Sequence, residues 1–216
     1  MVGLFEEMGP CTLRTDSTAT DPNPYSWNNN ASVLFLDQPS GTGLSSIKPG
    51  TQLPATDHEG AVDFQNFLNI ISTKIFPNHF QNPIHIAGES YGGHYVPTYL
   101  HHILQSRRLN SRNAFQGNIT SIILVNALFD VVANSIGSYE LLCTDFRGEP
   151  ILNATSCENM ASEMPECSKL GDICHNTHDL HICWLALSYC QENVDKYFTS
   201  EAIAGKRDPS NSEAEP

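Results

Sequence analysis

Basic residues are scarce in this chain: 11 Lys and Arg stand against 24 Asp and Glu, a formal net charge of −13. No run of Lys or Arg forms a patch able to neutralise phosphates, so a nucleic-acid partner is excluded. Apolar runs such as Val33 to Leu36 and Ile122 to Val125 fall far short of the roughly 20 residues that a spanning helix needs, and no membrane partner is expected. The opening Met1-Val2-Gly3-Leu4-Phe5-Glu6-Glu7 lacks the basic n-region, long apolar stretch and small-residue cleavage site of a secretory signal. No two cysteines form a C-x-x-C pair, which argues against a zinc site. No internal repeat is visible.

Cysteine, by contrast, is present and unevenly placed. Cys11 stands alone, whereas Cys143, Cys157, Cys167, Cys174, Cys183 and Cys190 crowd into the region after residue 140. Three N-x-[ST] sequons, at Asn30, Asn118 and Asn153, accompany them. Disulfides and sequons together point to an oxidising, secretory compartment, in conflict with the missing signal. The length is enough for one sizeable core, or one domain plus an insertion.

Periodicity supplies the architecture. Residues 15 to 30 are polar and turn-rich. Val33 to Leu36 then reads as a buried strand ended by Pro39 and glycines. Thr56-Asp57-His58-Glu59 is a capping box: Thr56 accepts from the third helical N–H while Glu59 reaches back. Phe64, Phe67, Leu68, Ile71 and Ile75 give the helix its apolar face, and Pro77 stops it. A short buried strand at Ile84, Ile86 and Ala87 follows. The next helix shows Val96, Tyr99, Leu100, Ile103 and Leu104 on one face, with Pro97 either kinking it or marking an irregular first turn. A third strand runs from Ser121. Strands alternating with helices predict βαβ crossovers in a parallel sheet over 1–135. Residues 136–195 read as a cysteine-rich insertion, and 196–216 as a polar tail.

Between the second strand and its helix lies Gly88-Glu89-Ser90-Tyr91-Gly92, a G-x-S-x-G in the strand, turn and helix context of a nucleophile elbow. Strand and helix pass close together there, so side chains two positions either side of the serine are expected to collide. The serine Oγ is presented at the helix N-terminus, where free N–H groups and the helix dipole favour a developing oxyanion. The competing reading is a glycine-rich turn with an exposed serine.

The histidines offer no obvious base. His94 lies four residues after Ser90, on the same helix, and seldom would such a residue reach Oγ from the required side. His58, His79, His85, His101 and His102 have no motif around them. His175, His178 and His181 are evenly spaced, but solvated polar residues between cysteines account for them better than a metal does. No metal or cofactor is expected. Asp130, after the third strand, could be mistaken for a triad acid.

With these residues in view the chain resembles the serine carboxypeptidase family, α/β-hydrolases that remove C-terminal residues in mild acid. "IAGESYGGHYVP", "GLFEEMGPC", "NPYSWNNNASVLFLDQP" and the cysteine series match family blocks in the right order. The resemblance implies a partial α/β-hydrolase parallel-sheet core with a disulfide-rich, mainly helical lid insertion. It makes Ser90 the nucleophile that forms an acyl-enzyme, and the Tyr91 N–H an oxyanion donor. Glu89 becomes the recognition carboxylate for the substrate C-terminus and Glu7 its partner, against the alternative that Glu7 is merely a loop acid. Two carboxyls held close cannot both ionise easily, so one stays protonated and can donate to a substrate carboxylate. The resemblance also implies the pairs Cys143–Cys157, Cys167–Cys190 and Cys174–Cys183, the last two nested about a helical hairpin whose turn is His175 to Ile182. Cys11 is left over. The partners implied are peptide or protein C-termini, in a secreted, vacuolar or lysosomal setting.

Several departures qualify this. The family's triad acid and histidine lie beyond the lid, and its W-x-N-G-G-P-G block lies ahead of the present Met1. The expectation is therefore a piece of a longer precursor, with Met1 an internal methionine, inactive by itself. Leu44-Ser45-Ser46 stands where an aromatic-bearing G-F-S-Y is usual, and Val125-Asn126-Ala127 replaces a glycine-flanked asparagine. The alternatives are a non-catalytic glycoprotein on the same scaffold and an α/β-hydrolase esterase. Oligomeric state and side-chain preference are not legible.

Overall fold

A computed structural model describes residues 2–144 and 150–197. The chain divides into two compact units, 1–127 and 128–216, so the boundary falls eight residues before the expected 135. The tail expected over 196–216 lies, from residue 198, outside the described residues.

In the first unit, strand β1 (Cys11–Leu13) pairs antiparallel with β2 (Thr20–Pro22). Helix α1 (Asp57–Ile70) begins as its sequence dictates: the Thr56 side chain accepts from the Glu59 N–H at 3.2 Å. Glu59 reaches back one residue further than expected, its Oε2 accepting from the Ala55 N–H at 2.6 Å. A wide turn, Ile71–Ile75, extends the helix to Phe76 just before Pro77. Strand β3 (Ile84–Glu89), helix α2 (Gly92–Arg108) and strand β4 (Ile119–Val125) form the βαβ unit, with β3 and β4 parallel and in register from His85↔Ser121 to Glu89↔Val125. Pro97 lies inside α2 without ending it.

The core of this unit forms where α1 and α2 meet the sheet. Leu68, Ile103 and Phe115 are buried, flanked by Phe64, Phe67, Phe80, Ile84 and Ile119. Each of the three contributes about 1.5–3 kcal/mol by leaving water. Gly60 lets the helices approach, since a Cβ there would lie 2.6 Å from the Tyr99 hydroxyl. Ile75 and Leu104, assigned to apolar faces by spacing, are 56 % and 49 % exposed.

Val33 to Leu36 is not a strand. It runs without a ladder partner among the described residues, and Leu34 is half exposed. An apolar tetrapeptide becomes a strand only when another strand satisfies its N–H and C=O groups. β3 and β4 are also less buried than apolar strands suggest: β3 alternates in burial, and Ile123, Leu124 and Val125 stay more than a third exposed.

The second unit is helical: α3 (Val131–Cys143), α4 (Ala154–Thr177) and α5 (Leu180–Cys190), continued by a wide turn at Gln191–Asp195. Side-chain caps open each helix. Asp130, Asn153 and Asp179 accept from the N–H groups of Ala133, Ser156 and His181, each at 2.9 Å. The disulfides are Cys143–Cys157, Cys167–Cys190 and Cys174–Cys183. The α4–α5 hairpin turns at His178 and Asp179 alone, with His178 at φ 53, so the turn is much tighter than His175 to Ile182. Leu142, Leu152, Met160, Cys167, Cys190 and Val194 make the core.

Candidate active site

Ser90 directly follows β3 and is the residue at which the chain turns into α2. Its φ of 53 is left-handed, a conformation that non-glycine residues rarely hold and that marks a strained nucleophile elbow. The Ser90 N–H donates to the Val125 carbonyl at 3.1 Å, which ties the turn to the end of β4. The Gly93 N–H donates back to the Ser90 carbonyl at 3.1 Å. The two flanking glycines differ in what they do. A Cβ on Gly88 would lie 2.6 Å from Val96 Cγ2 and 3.1 Å from Gly92 Cα, whereas a Cβ on Gly92 would meet nothing within 4 Å. The expected collision is therefore real on the strand side and absent on the helix side, because the first turn of α2 points its residue 92 away from the strand.

A second segment is held against this elbow. Residues Gly3–Glu7 form a wide turn closed by the Met8 and Gly9 N–H groups on the Gly3 carbonyl, at 3.0 and 3.1 Å. Gly9 is obligatory, since a Cβ there would fall 1.8 Å from the Leu4 carbonyl oxygen. Asn23 fixes the turn by donating to the carbonyls of Glu7 and Gly9 at 2.9 and 3.0 Å. The Ser26 hydroxyl and the Trp27 N–H both donate to the Met8 carbonyl at 3.1 Å.

The result is a cavity of about 450 Å3 lined by Val2, Gly3, Glu7, Met8, Trp27, Ala87, Gly88, Glu89, Ser90 and Val125. Ser90 and both glutamates therefore open into one space. Desolvation first, then the charge of Glu89 and a hydrogen bond between the two carboxyls, then the charge of Glu6, hold the Glu7 carboxyl above the ordinary carboxylate range. A shift in this direction extends to higher pH the range over which the carboxyl keeps a proton and can donate it. Trp27, Met8 and Val2 were not singled out from sequence; the local signal for them is the Asn23 and Ser26 side chains, turn residues whose acceptors prove to be on the Glu7 segment.

Other sequence candidates lie elsewhere or do other work. His94 stacks on the Tyr91 ring, centroids 4.6 Å apart, and no histidine among the described residues is hydrogen-bonded to Ser90. Asp130 caps α3. His175 and His178 have ring centres 6.3 Å apart, and no cluster of three or more His, Cys, Asp or Glu able to hold a metal occurs among the described residues. Cys11 is free and half-buried. Asn30, Asn118 and Asn153 are exposed.

The sequence profile of the serine carboxypeptidases (peptidase S10) matches residues 1–214. The chain belongs to the serine carboxypeptidase family. It is 34 % identical over 188 residues to the vacuolar serine-type carboxypeptidase ATG42 of Saccharomyces cerevisiae, covering 87 % of this chain and 35 % of that protein. With carboxypeptidase Y of Schizosaccharomyces pombe it shares 31 % identity over 211 residues, 94 % of this chain and 21 % of that one. The chain thus spans about a third or less of the curated relatives it matches. Among solved structures it is similar to KEX1(delta)P, a prohormone-processing carboxypeptidase from Saccharomyces cerevisiae. That likeness has a TM-score of 0.62 at 22 % identity over 88 % of this chain and 42 % of that one. The fold is that of an α/β-hydrolase, here a small parallel sheet with its elbow, accompanied by a disulfide-bonded helical unit.

Proposed function

We propose that this chain carries the nucleophile and the C-terminus-recognition carboxyls of a serine-type carboxypeptidase acting on peptides and proteins. The observation that carries the reading is the single cavity shared by Ser90, Glu89 and Glu7. A substrate carboxylate accepts a hydrogen bond from the proton held by the glutamate pair, which sets the last peptide bond over Ser90. Ser90 Oγ then attacks the carbonyl carbon; the C–N bond breaks, the C-terminal residue leaves as its amine, and water later hydrolyses the ester on Oγ. The Tyr91 N–H donates to no backbone acceptor among the described residues and is free to serve the oxyanion. Removal of the Oγ proton requires a base, which no described residue brings to Ser90.

That last observation favours a second reading, a protein that binds peptide C-termini without cleaving them. Hydrolysis of a blocked dipeptide and of its C-terminal amide separates the two. The carboxypeptidase reading expects the naturally expressed protein to cleave the free acid and Ser90→Ala to abolish it. Turnover unchanged in Ser90→Ala, or carboxylate-dependent binding with no turnover, rejects it. The vacuolar relative and the disulfides support a secretory or vacuolar setting. The exposure of Asn30, Asn118 and Asn153 supports glycosylation there, which a mobility shift on enzymatic deglycosylation checks.

A further inference from the structure

The face of the sheet that carries Glu89 also carries a side-chain pair that the catalytic reading does not use. On β3, His85, Ala87 and Glu89 are the exposed positions of an alternating strand, and they lie beside Ser121, Ile123 and Val125 of β4. His85 Nδ1 and Ser121 Oγ are hydrogen-bonded at 2.7 Å. Among the described residues this is the one side-chain hydrogen bond that joins the two strands. It sits at a particular rung. Ile84 pairs with Ile119, but His85 pairs with Ser121, so the ladder skips Thr120. Every later rung keeps the shifted register: Glu89 pairs with Val125, and the Ser90 N–H reaches the Val125 carbonyl at 3.1 Å. Had the ladder run on unbroken from Ile84↔Ile119, Glu89 would stand beside Leu124, which does not line the cavity, instead of Val125, which does.

We propose that His85 and Ser121 are positioning residues: their hydrogen bond pins the shifted register at its first rung and so fixes Ser90 and Glu89 against Val125. A skipped residue of this kind re-aims the side chains that follow it and recurs next to active sites. Thr120 and Ser121 are adjacent hydroxyl residues, so residue type alone does not decide which of them faces the imidazole. The hydrogen bond decides it: Ser121 occupies the rung, while the Thr120 hydroxyl turns to the Asn118 carbonyl at 3.4 Å. A pair on the exposed face contributes no more than one ordinary hydrogen bond. Its effect is therefore local, on the end of the ladder rather than on the core of Leu68, Ile103 and Phe115. His85 and Ser121 are 36 residues apart on different strands, so no sequence spacing reveals the pair. The positioning role rests on the carboxypeptidase reading of Ser90 and Glu89, whereas the pinning of the register does not.

Hydrogen exchange of single amides, followed by NMR in the full chain, tests the pin without needing turnover. The Ser90 amide, bonded to Val125, should exchange several-fold faster in His85→Ala and in Ser121→Ala, and no faster in the double variant than in either one. The Ile103 amide, on the buried face of α2, should keep its rate in all three. His85→Asn, whose amide places a polar atom near the position of Nδ1, should restore slow exchange at Ser90. Binding of a peptide with a free C-terminal carboxylate, read beside its amide, should weaken several-fold in His85→Ala and recover in His85→Asn. An unchanged Ser90 rate, equal acceleration at Ile103, additive effects of the two substitutions, or carboxylate-dependent binding that His85→Ala leaves intact overturns the proposal. Wild-type binding that ignores the carboxylate removes the carboxypeptidase reading and the positioning role with it, while the exchange rates decide the pin regardless.

Discussion

Gly88→Ala and Gly92→Ala look equivalent in sequence and should differ sharply in stability. At position 88 the added methyl would lie 2.6 Å from Val96 Cγ2, 3.1 Å from Gly92 Cα and 3.2 Å from the Gly92 carbonyl. Two of those atoms are backbone of the turn that sets φ of Ser90, so strand and helix must separate. Overpacking of this kind costs about 1–3 kcal/mol. At position 92 the methyl enters open space in the first turn of α2, where exchanging Gly for Ala contributes up to about 1 kcal/mol of helix stability. Urea unfolding followed by Trp27 fluorescence in a Trp184→Phe background isolates the first unit, since Trp184 is an exposed residue of the second. With a urea slope of about 1–3 kcal/mol per M, Gly88→Ala should lower the midpoint by roughly 1 M. Gly92→Ala should leave it unchanged or raise it. Equal losses in both variants would refute the account of the elbow.

Burial raises the Asp195 carboxyl's affinity for its proton, and the hydrogen bond from the Ser135 hydroxyl at 2.9 Å opposes this only partly. A raised folded pKa stabilises in acid, so the second unit should lose stability as pH climbs from the ordinary carboxylate value of 3.8 through the raised one, and Asp195→Asn should flatten that slope in pH-dependent unfolding read by Trp184. Removing Cys167–Cys190, which closes 23 residues, should destabilise by about 3–4 kcal/mol. Removing Cys174–Cys183, which closes 9, should cost about 2–3 kcal/mol; the reverse order in thermal melts would argue against restriction of the unfolded chain as the mechanism.

Local chemistry was legible where the chain alone decides it. Thr56 caps α1 because its hydroxyl needs only the N–H three residues on. Ser90 turns left-handed because strand, turn and helix are consecutive. Spacing also found Val96, Tyr99 and Ile103, but it drew the stripe one residue too wide at Leu104, since periodicity does not say how broad a face the neighbouring elements cover. Val33 to Leu36 failed for a related reason: strand formation depends on a partner, and apolar content says nothing about one. Glu7 and Glu89 are 82 residues apart, and their pairing came from family resemblance rather than from pattern. The cavity walls Trp27 and Met8 were hidden because tertiary hydrogen bonds from Asn23 and Ser26 put them there. Gly92 was misread because the two glycines look symmetric about Ser90 while strand and helix are not.

The proposed sharing of a proton between Glu7 and Glu89 bears most directly on the function. Desolvation, the neighbouring Glu89 charge and the hydrogen bond between the carboxyls lift the Glu7 carboxyl above the ordinary range, so a donor held by the pair is present below that raised value and lost as pH rises through it. The decisive measurement is the pH profile of binding for a peptide with a free C-terminal carboxylate beside its amide, in the wild type and in Glu89→Gln. The account predicts that affinity for the free acid is high in acid and falls toward neutral pH, that the amide binds weakly at every pH, and that Glu89→Gln brings the free acid down toward the amide. Equal, pH-independent binding of acid and amide, unaffected by Glu89→Gln, would contradict it.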